Sequence, residues 1–296
     1  MHIGLVGLGR MGENMRQRLR TKGLAVTGYD PGVETRDVTS LEELIRTLPT
    51  PRVVWVMVPA GEVTDSVITA LQPLLGPGDI IIDGGNTFFE DDLRRAATLK
   101  NNHIHYVDVG VSGGVWGREN GYGLMVGGEE EIITFLMPIF DALRPQGPRE
   151  EGFVHVGPIG AGHYAKMVHN GVEYGLMQAY AEGYELLASR SDLILDVPAV
   201  FNAWRRGTVV RSWLLDLLSQ ALENDPGFDM IRGYAQDSGE GRWTVQEAVN
   251  QAVPTPAISA ALYARFSSRQ DDSPAMKAIA AMRHQFGGHA ALPADE

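Results

Sequence analysis

Apolar runs without polar alternation dominate the first half of the chain: Ile3 to Leu8, Val53 to Val58 and Ile80 to Ile82. A strand covered by helices on both faces has this pattern, which is typical of parallel sheets. Between the first two runs, a helical stretch to Lys22 and a second strand, Ala25 to Asp30, are expected. Tyr106 to Val109 and Phe153 to Gly157 read as later strands. From Gly160 onward strand-like runs stop and helical periodicity takes over, punctuated by Pro198, Pro226, Pro254, Pro256 and Pro274. The pattern predicts an α/β domain with a mostly parallel sheet over 1–159 and an all-α domain over 160–296. Val210 to Leu222 and Ala257 to Phe266 read as amphipathic helices. Such a thin helical domain is expected to bury their apolar faces against a second subunit.

Composition narrows the classes. The 296 residues are 44% hydrophobic and 21% charged, as in ordinary globular proteins. No apolar run is long enough for a membrane span, and the start of the chain lacks signal-peptide features, so a cytoplasmic enzyme is expected. The chain has no cysteine, which excludes disulfides and thiolate chemistry, and its eight histidines show no zinc spacing. No metal is expected, and His103 and His105 read as strand-edge residues. A net charge of −12 argues against nucleic acid as a partner. An anionic substrate would need a local basic pocket.

The first strand runs into Gly7-Leu8-Gly9-Arg10-Met11-Gly12, a G-x-G-x-x-G that follows an apolar strand and opens a helix. Its glycines allow backbone N–H groups and a helix N-terminus to approach a pyrophosphate. This is the setting of a Rossmann-type dinucleotide site. Tyr29 and Asp30 end the second strand, where a carboxylate accepts from ribose hydroxyls and repels a 2′-phosphate. NAD is therefore expected, with Arg36 leaving NADP open. A turn-starting aspartate before Pro31 is the plainer reading of Asp30. Asn86 follows a strand in Asp83-Gly84-Gly85-Asn86, beyond the carboxyl end where ligands gather in open α/β sheets.

Lys166, His169, Asn170, Glu173 and Tyr174 recur at offsets 0, +3, +4, +7 and +8, one stripe of a helix. Gly162, Gly171 and Gly175 lie before and within it, and glycine costs helix stability unless something packs close. The whole string Gly160 to Tyr174 resembles the catalytic helix of the 6-phosphogluconate dehydrogenase family, within the β-hydroxyacid dehydrogenases. The resemblance implies that Lys166 takes the proton of the substrate 3-hydroxyl while hydride leaves for the nicotinamide. It also implies that Glu173 protonates the enediol left after decarboxylation, and that His169, Asn170 and Tyr174 bind substrate. A buried lysine is pulled towards neutrality and a buried glutamate pushed up, so each role is chemically reasonable.

Almost the whole chain takes part in this resemblance. It implies that Val58, Pro59, Ala60 and Asn86 line the dinucleotide, with Asn86 also touching substrate, and that Ser112, Gly113 and Gly114 bind the sugar-acid carboxylate. Arg265 and Arg283 would hold the phosphate. His289 would touch a sugar hydroxyl, with the C-terminal tail completing the active site of a neighbour in a homodimer or homotetramer. Many members place an Asn-Arg pair where this chain has Tyr29-Asp30. Ser238 to Thr244 resembles a Gly-x-Gly-x-Trp loop in which longer members carry a phosphate-binding lysine and threonine. Those positions read here as Ser238 and Glu240, a departure that leaves Arg242 as the substitute cation or implies another ligand. Oxidative decarboxylation of 6-phosphogluconate is the first expectation. A dehydrogenase for a small β-hydroxyacid such as 3-hydroxyisobutyrate, and a non-catalytic nucleotide sensor, are the alternatives. Glu173 and the arginines favour the first.

Overall fold

The computed structural model describes residues 1–287 together with Ala290 and Leu292. Strands β1 (His2–Val6), β2 (Ala25–Tyr29), β3 (Val53–Val56), β4 (Ile80–Asp83), β5 (His105–Ser112), β6 (Gly123–Gly127) and β7 (Phe153–Gly157) form one sheet. Their order is 2-1-3-4-5-6-7. Neighbours from β2 through β5 pair in parallel. Strands β5 and β6 pair antiparallel, and β6 with β7 parallel. Helices α1 (Arg10–Thr21), α2 (Leu41–Thr47), α3 (Glu62–Leu71), α4 (Phe89–Lys100), α5 (Gly117–Asn120) and α6 (Glu130–Leu143) accompany them.

The unbroken apolar runs follow from this layering. Val53 and Trp55 join the core that holds Met15 and Leu19 of α1 and Phe140 of α6. Val54 and Val56, pointing the other way, join the core of Leu44, Ile68 and Leu99 from α2, α3 and α4. Both faces are covered, so neither admits polar side chains. β1 has β2 on one side and β3 on the other, which makes the gap beyond its carboxyl end the switch point of the sheet.

Helix α7 (Ala161–Ala188) follows β7, and after it come α8 (Val197–Trp204), α9 (Trp213–Asn224), α10 (Glu240–Asn250), α11 (Pro256–Ser267) and α12 (Pro274–Gly287). Pro198 and Pro256 lie in the first turns of α8 and α11, and α12 starts at Pro274, where a missing N–H costs nothing. Two compact units divide the chain at Asn170/Gly171, within α7. Among the described residues no helix is long and apolar enough to cross a membrane.

The first turn of α7 is seated on β5 and β6. The Asp108 carboxylate of β5 accepts from the backbone N–H groups of Gly160 (2.7 Å) and His163 (2.8 Å), satisfying helix-start donors that otherwise lack partners. Gly162 lies so close to the sheet that a methyl group there would come within 2.4 Å of Met125 O and 2.8 Å of Asp108 O. A methyl group on Gly110 of β5 would likewise come within 2.4 Å of Lys166 Cβ.

Beneath this turn lies a buried polar network. Asp92 accepts from His163 Nδ1 (2.8 Å) and from the Tyr106 hydroxyl (2.8 Å), which also reaches Asp83 (3.1 Å). Asp83 further accepts from Thr87 Oγ1 (2.8 Å), Arg95 Nη1 (3.2 Å) and Gly85 N (3.0 Å). Burial pushes Asp92 up to about 6, although His163 opposes the rise. For His163, burial works downward but is outweighed by the Asp92 carboxylate, with Asp83 and Asp108 behind it, so its pKa rises to about 9.

A histidine raised above its ordinary 6.5 contributes stability that is full below pH 6.5 and is lost as pH rises through about 9. Melting temperature should therefore fall between pH 6.5 and 9, and less so in His163→Gln; an equal fall in both proteins would contradict the assignment. Gly162→Ala should destabilise by about 2 kcal/mol or more, because rigid backbone meets the new methyl group. Gly183→Ala, further along α7 with nothing within 4 Å of the added carbon, should stabilise by roughly 0.5–1 kcal/mol. Denaturant melts of the two variants check both signs.

Candidate active site

The glycine turn after β1 has the geometry of a dinucleotide cradle. Gly7 has φ +96°, and a methyl group there would strike Met57 O at 2.3 Å; one at Gly12 would strike Gly7 O at 1.9 Å. These two glycines serve turn geometry and close packing. Gly9 differs, since nothing lies within 4 Å of the carbon it lacks, and it stands at the start of α1 with no side chain capping the helix. The open N–H groups there suit a pyrophosphate, so the residues fit the dinucleotide. Leu8 is buried, Met11 half-buried and Arg10 exposed.

Asp30 lies just past β2, whose last residue, Tyr29, is half-buried. Its carboxylate accepts from Leu8 N (2.8 Å) in the glycine turn and from Gly32 N (2.8 Å). The second bond is the aspartate turn that the following proline suggests. The first ties the acid to the cradle itself. Arg36 donates to the backbone carbonyl of Val33 (3.1 Å). Beyond β3, Val58 is half-buried while Pro59 and Ala60 are exposed, and Asn86 is exposed beyond β4. Gly85 beside it packs close to Val58, where a methyl group would lie 3.0 Å from the Val58 carbonyl oxygen. Thus three expected cofactor segments meet the carboxyl ends of β1, β3 and β4.

A second group gathers on α7 and β5. Lys166 and Asn170 are buried, at 7% and 8% exposure, while His169 is exposed. His169 Nδ1 lies 3.4 Å from Lys166 Nζ and 3.1 Å from Asn170 Oδ1, and Nε2 lies 3.4 Å from Ser112 Oγ. A proton on Nδ1 can serve both the amide oxygen and the lone pair of a neutral lysine amine, whereas an ammonium needs the ring's lone pair there. Ser112 is the last residue of β5, which begins at His105 and runs further than the expected 106–109. The loop proper starts at Gly113 (φ +139°) and Gly114 (φ +53°). Gly113 is packed against Gly121 O, while Gly114 has open space where a side chain would be. His103 lies in the turn before β5, with φ 56°, rather than on its edge.

Glu173 and Tyr174 follow on α7, Glu173 half-buried and Tyr174 buried. The Tyr174 hydroxyl accepts from Ser238 N (3.0 Å) and lies 3.3 Å from Ser238 Oγ. The Arg265 guanidinium stacks on the Tyr174 ring, 3.4 Å from its centroid, and donates to Gln236 O (3.0 Å). Arg265 is thus a packed side chain and not a solvated helix arginine.

The loop after Gln236 is arranged differently from its sequence reading. Arg242, the expected substitute cation, bonds Asp237, as does Arg269 at 2.9 Å. These two arginines, Arg242 first, hold the Asp237 carboxyl below its usual range. Glu240 does not face solvent at all: it is 2% exposed, and neither carboxylate oxygen has a hydrogen-bond partner among the described residues. Arg283 is exposed on α12, and His289 lies outside the described residues. The buried set of Asp83, Asp92, Asp108 and His163 was not singled out from sequence; its signal is a histidine in the first turn of a glycine-flanked helix.

Comparison with known proteins places both halves of the chain in one family. Residues 2–146 match the family described as NAD binding domain of 6-phosphogluconate dehydrogenase, and residues 162–291 its C-terminal domain. The NAD(+)-dependent, decarboxylating 6-phosphogluconate dehydrogenase of Haloferax volcanii is 41% identical over 308 residues, covering 100% of both chains. NAD(+)-dependent and NADP(+)-dependent enzymes of Bacillus subtilis are each 36% identical over 90% of this chain but only 61% of their own length. Among solved structures, Plasmodium falciparum 6-phosphogluconate dehydrogenase superposes with TM-score 0.79 at 29% identity, over 100% of this chain and 67% of that one. Mycobacterium tuberculosis 3-hydroxyisobutyrate dehydrogenase shares the fold, with TM-score 0.71 and 24% identity over 95% of this chain and 99% of its own. With a full-length relative at this identity and both halves matched, the chain is an oxidoreductase with an NAD-binding domain and belongs to the 6-phosphogluconate dehydrogenase family.

Proposed function

We propose that the protein catalyses oxidative decarboxylation of 6-phosphogluconate to ribulose 5-phosphate and carbon dioxide, with NAD preferred. The observation that carries the reading is the buried Lys166 amine beside His169, which in turn reaches Ser112. Lys166 accepts the 3-hydroxyl proton as hydride leaves C3, producing a 3-keto acid. The bound nicotinamide supplies the hydride acceptor. Cleavage of the bond to the carboxylate releases carbon dioxide and leaves an enediol, whose oxygen takes back the proton from Lys166. Glu173 then donates a proton to C1 of the enediol while Lys166 receives the hydroxyl proton, and return of that proton from the Lys166 ammonium to the Glu173 carboxylate by way of solvent closes the cycle.

Ser112 and the open backbone at Gly114 suit the carboxylate, because glycine lets N–H groups approach an anion. Asn86, Gly113, His169, Asn170 and Tyr174 would complete binding. Arg265 suits the phosphate: its bonds are to a neutral ring and a carbonyl, so its charge is uncompensated by those groups. Arg283 and a tail from a second subunit belong to the same proposal, with a homo-oligomer as its consequence. Asp30 supports NAD because a 2′-phosphate beside its carboxylate would be repelled. The likeness in fold and length to a 3-hydroxyisobutyrate dehydrogenase supports a second reading, a dehydrogenase for a small β-hydroxyacid.

Initial rates with 6-phosphogluconate, gluconate and 3-hydroxyisobutyrate separate the two readings. We expect NADH and carbon dioxide to form with the first alone; turnover of only an unphosphorylated acid would favour the second. Lys166→Ala should lower kcat by about 10³-fold or more, and Glu173→Gln by about 10²-fold, while both still bind cofactor. Full activity in Lys166→Ala would end the proposed mechanism. kcat/KM should favour NAD over NADP by roughly tenfold or more. Asp30→Asn keeps an acceptor for Leu8 N but removes the charge, and should narrow that ratio.

A further inference from the structure

His163 is fully buried one helical turn before Lys166, and the proposed chemistry makes no use of it. Its Nδ1 bonds Asp92 at 2.8 Å, and its Nε2 is buried with no partner among the described residues. A ring bonded on one side only has no second partner to which it could relay a proton. The ligand atoms of Asp83, Asp92 and His163 lie within 4.8 Å of one another. Yet those oxygens already receive Thr87, Arg95, Tyr106 and the ring itself, so an ion would have to displace existing donors. Relay and metal site being set aside, the connections of the network decide its role.

Those connections run from the base to the asparagine turn. His163 holds α7 to Asp92 on α4, and the Tyr106 hydroxyl bridges Asp92 to Asp83 at the end of β4. Asp83 fixes the turn leading to Asn86 through Gly85 N and Thr87 Oγ1. Asp108 on β5 holds the same turn of α7 by its backbone. Arg95, anchored outside by Asp65 at 2.7 Å, supplies the cation facing Asp83. We infer that His163, through its bond to Asp92, is a positioning residue that locks the Lys166 turn of α7 and the Asn86 turn after β4 into one frame.

This inference rests on Lys166 being the base, and an ångström of misplacement at a reacting group costs about 10²-fold in rate. The test compares His163→Leu, which fills the space but leaves Asp92 without this donor, with His163→Gln, which keeps an N–H for it. Tyr106→Phe breaks the tie between Asp83 and Asp92 alone and serves if His163→Leu does not fold. Rates are expressed per folded molecule, with the fraction folded taken from melting curves. We expect His163→Leu to lose tenfold or more in kcat and Tyr106→Phe at least threefold, with KM for NAD rising by less than kcat falls, because the Asn86 turn is tied to the network while the glycine turn is untouched. His163→Gln should recover to within about threefold of the parent.

A purely structural role would lower the melting temperature without this split. Parent-like kcat per folded molecule in His163→Leu, or in Tyr106→Phe where the leucine variant does not fold, would overturn the inference. So would a glutamine variant as slow as the leucine one. Nitrogen NMR of the imidazole in the unaltered protein is independent of turnover: Nδ1 should stay protonated at pH 7.5, and an Nδ1 without its proton would overturn the pairing. If Lys166→Ala retains activity, the mechanistic reading fails by a different observation.

Discussion

The seating of α7 on the sheet is the constraint from which the rest of the proposed site's geometry follows. A helix whose side chains must reach the carboxyl end of a parallel sheet cannot stand at the usual distance, because its first turn crosses β5 and β6. Gly162 removes the side chain that would hit Met125 O, and Gly110 removes the one that would hit Lys166. The close approach leaves helix-start N–H groups facing sheet and not water, and Asp108 answers two of them. An unsatisfied buried amide costs about 1–3 kcal/mol, so the carboxylate is part of the joint and not an ornament to it. Once it is buried there, neighbouring acids need cations, which Arg95 and His163 provide.

The nucleotide side shows a comparable economy. Asp30 bonds Leu8 N in the glycine turn, so the carboxylate proposed to read the ribose also sets the shape of the cradle. The two readings of Asp30 in the sequence, a ribose acceptor and a turn former, are therefore not rivals. Its bond to Gly32 N is the local turn, and its bond to Leu8 N spans the carboxyl ends of β1 and β2. Replacing it to change cofactor would disturb backbone geometry as well as charge.

Much of this was legible in the sequence because periodicity and glycine spacing report directly on burial. The apolar runs announced strands covered on both faces, and the α7 stripe announced a helix with Lys166, His169 and Asn170 on one side. Strand β6 was missed: Gly123 to Gly127 is short and bounded by glycines, and its antiparallel pairing with β5 depends on the turn at Gly113 and Gly114. Strand β5 runs on from the expected Val109 to Ser112, so the sheet holds this serine. The network of Asp83, Asp92, Asp108 and His163 joins residues up to 80 positions apart, and only tertiary packing brings them together. Charge signs were read, but not which side chains turn inward, and Glu240 is the plainest case.

That inward turn bears on how a chain of net charge −12 can offer a cation to an anionic ligand. Five arginines in the second unit are spent on carboxylates: Arg190 on Asp192, Arg205 on Asp216, Arg232 on Asp271, and both Arg242 and Arg269 on Asp237. Arg265 is held by an aromatic face and a carbonyl, interactions that fix the guanidinium without cancelling its charge. An exposed arginine would have to be ordered on binding, at a cost of about 0.5–1.5 kcal/mol for a side chain of this kind. A stacked one is already ordered. Glu240, one residue before the glycine that packs on the same tyrosine, has its carboxylate buried, which keeps a negative group off the local surface. In the fold, burial thus takes the Glu240 carboxylate out of direct contact with any ligand at the surface of this loop.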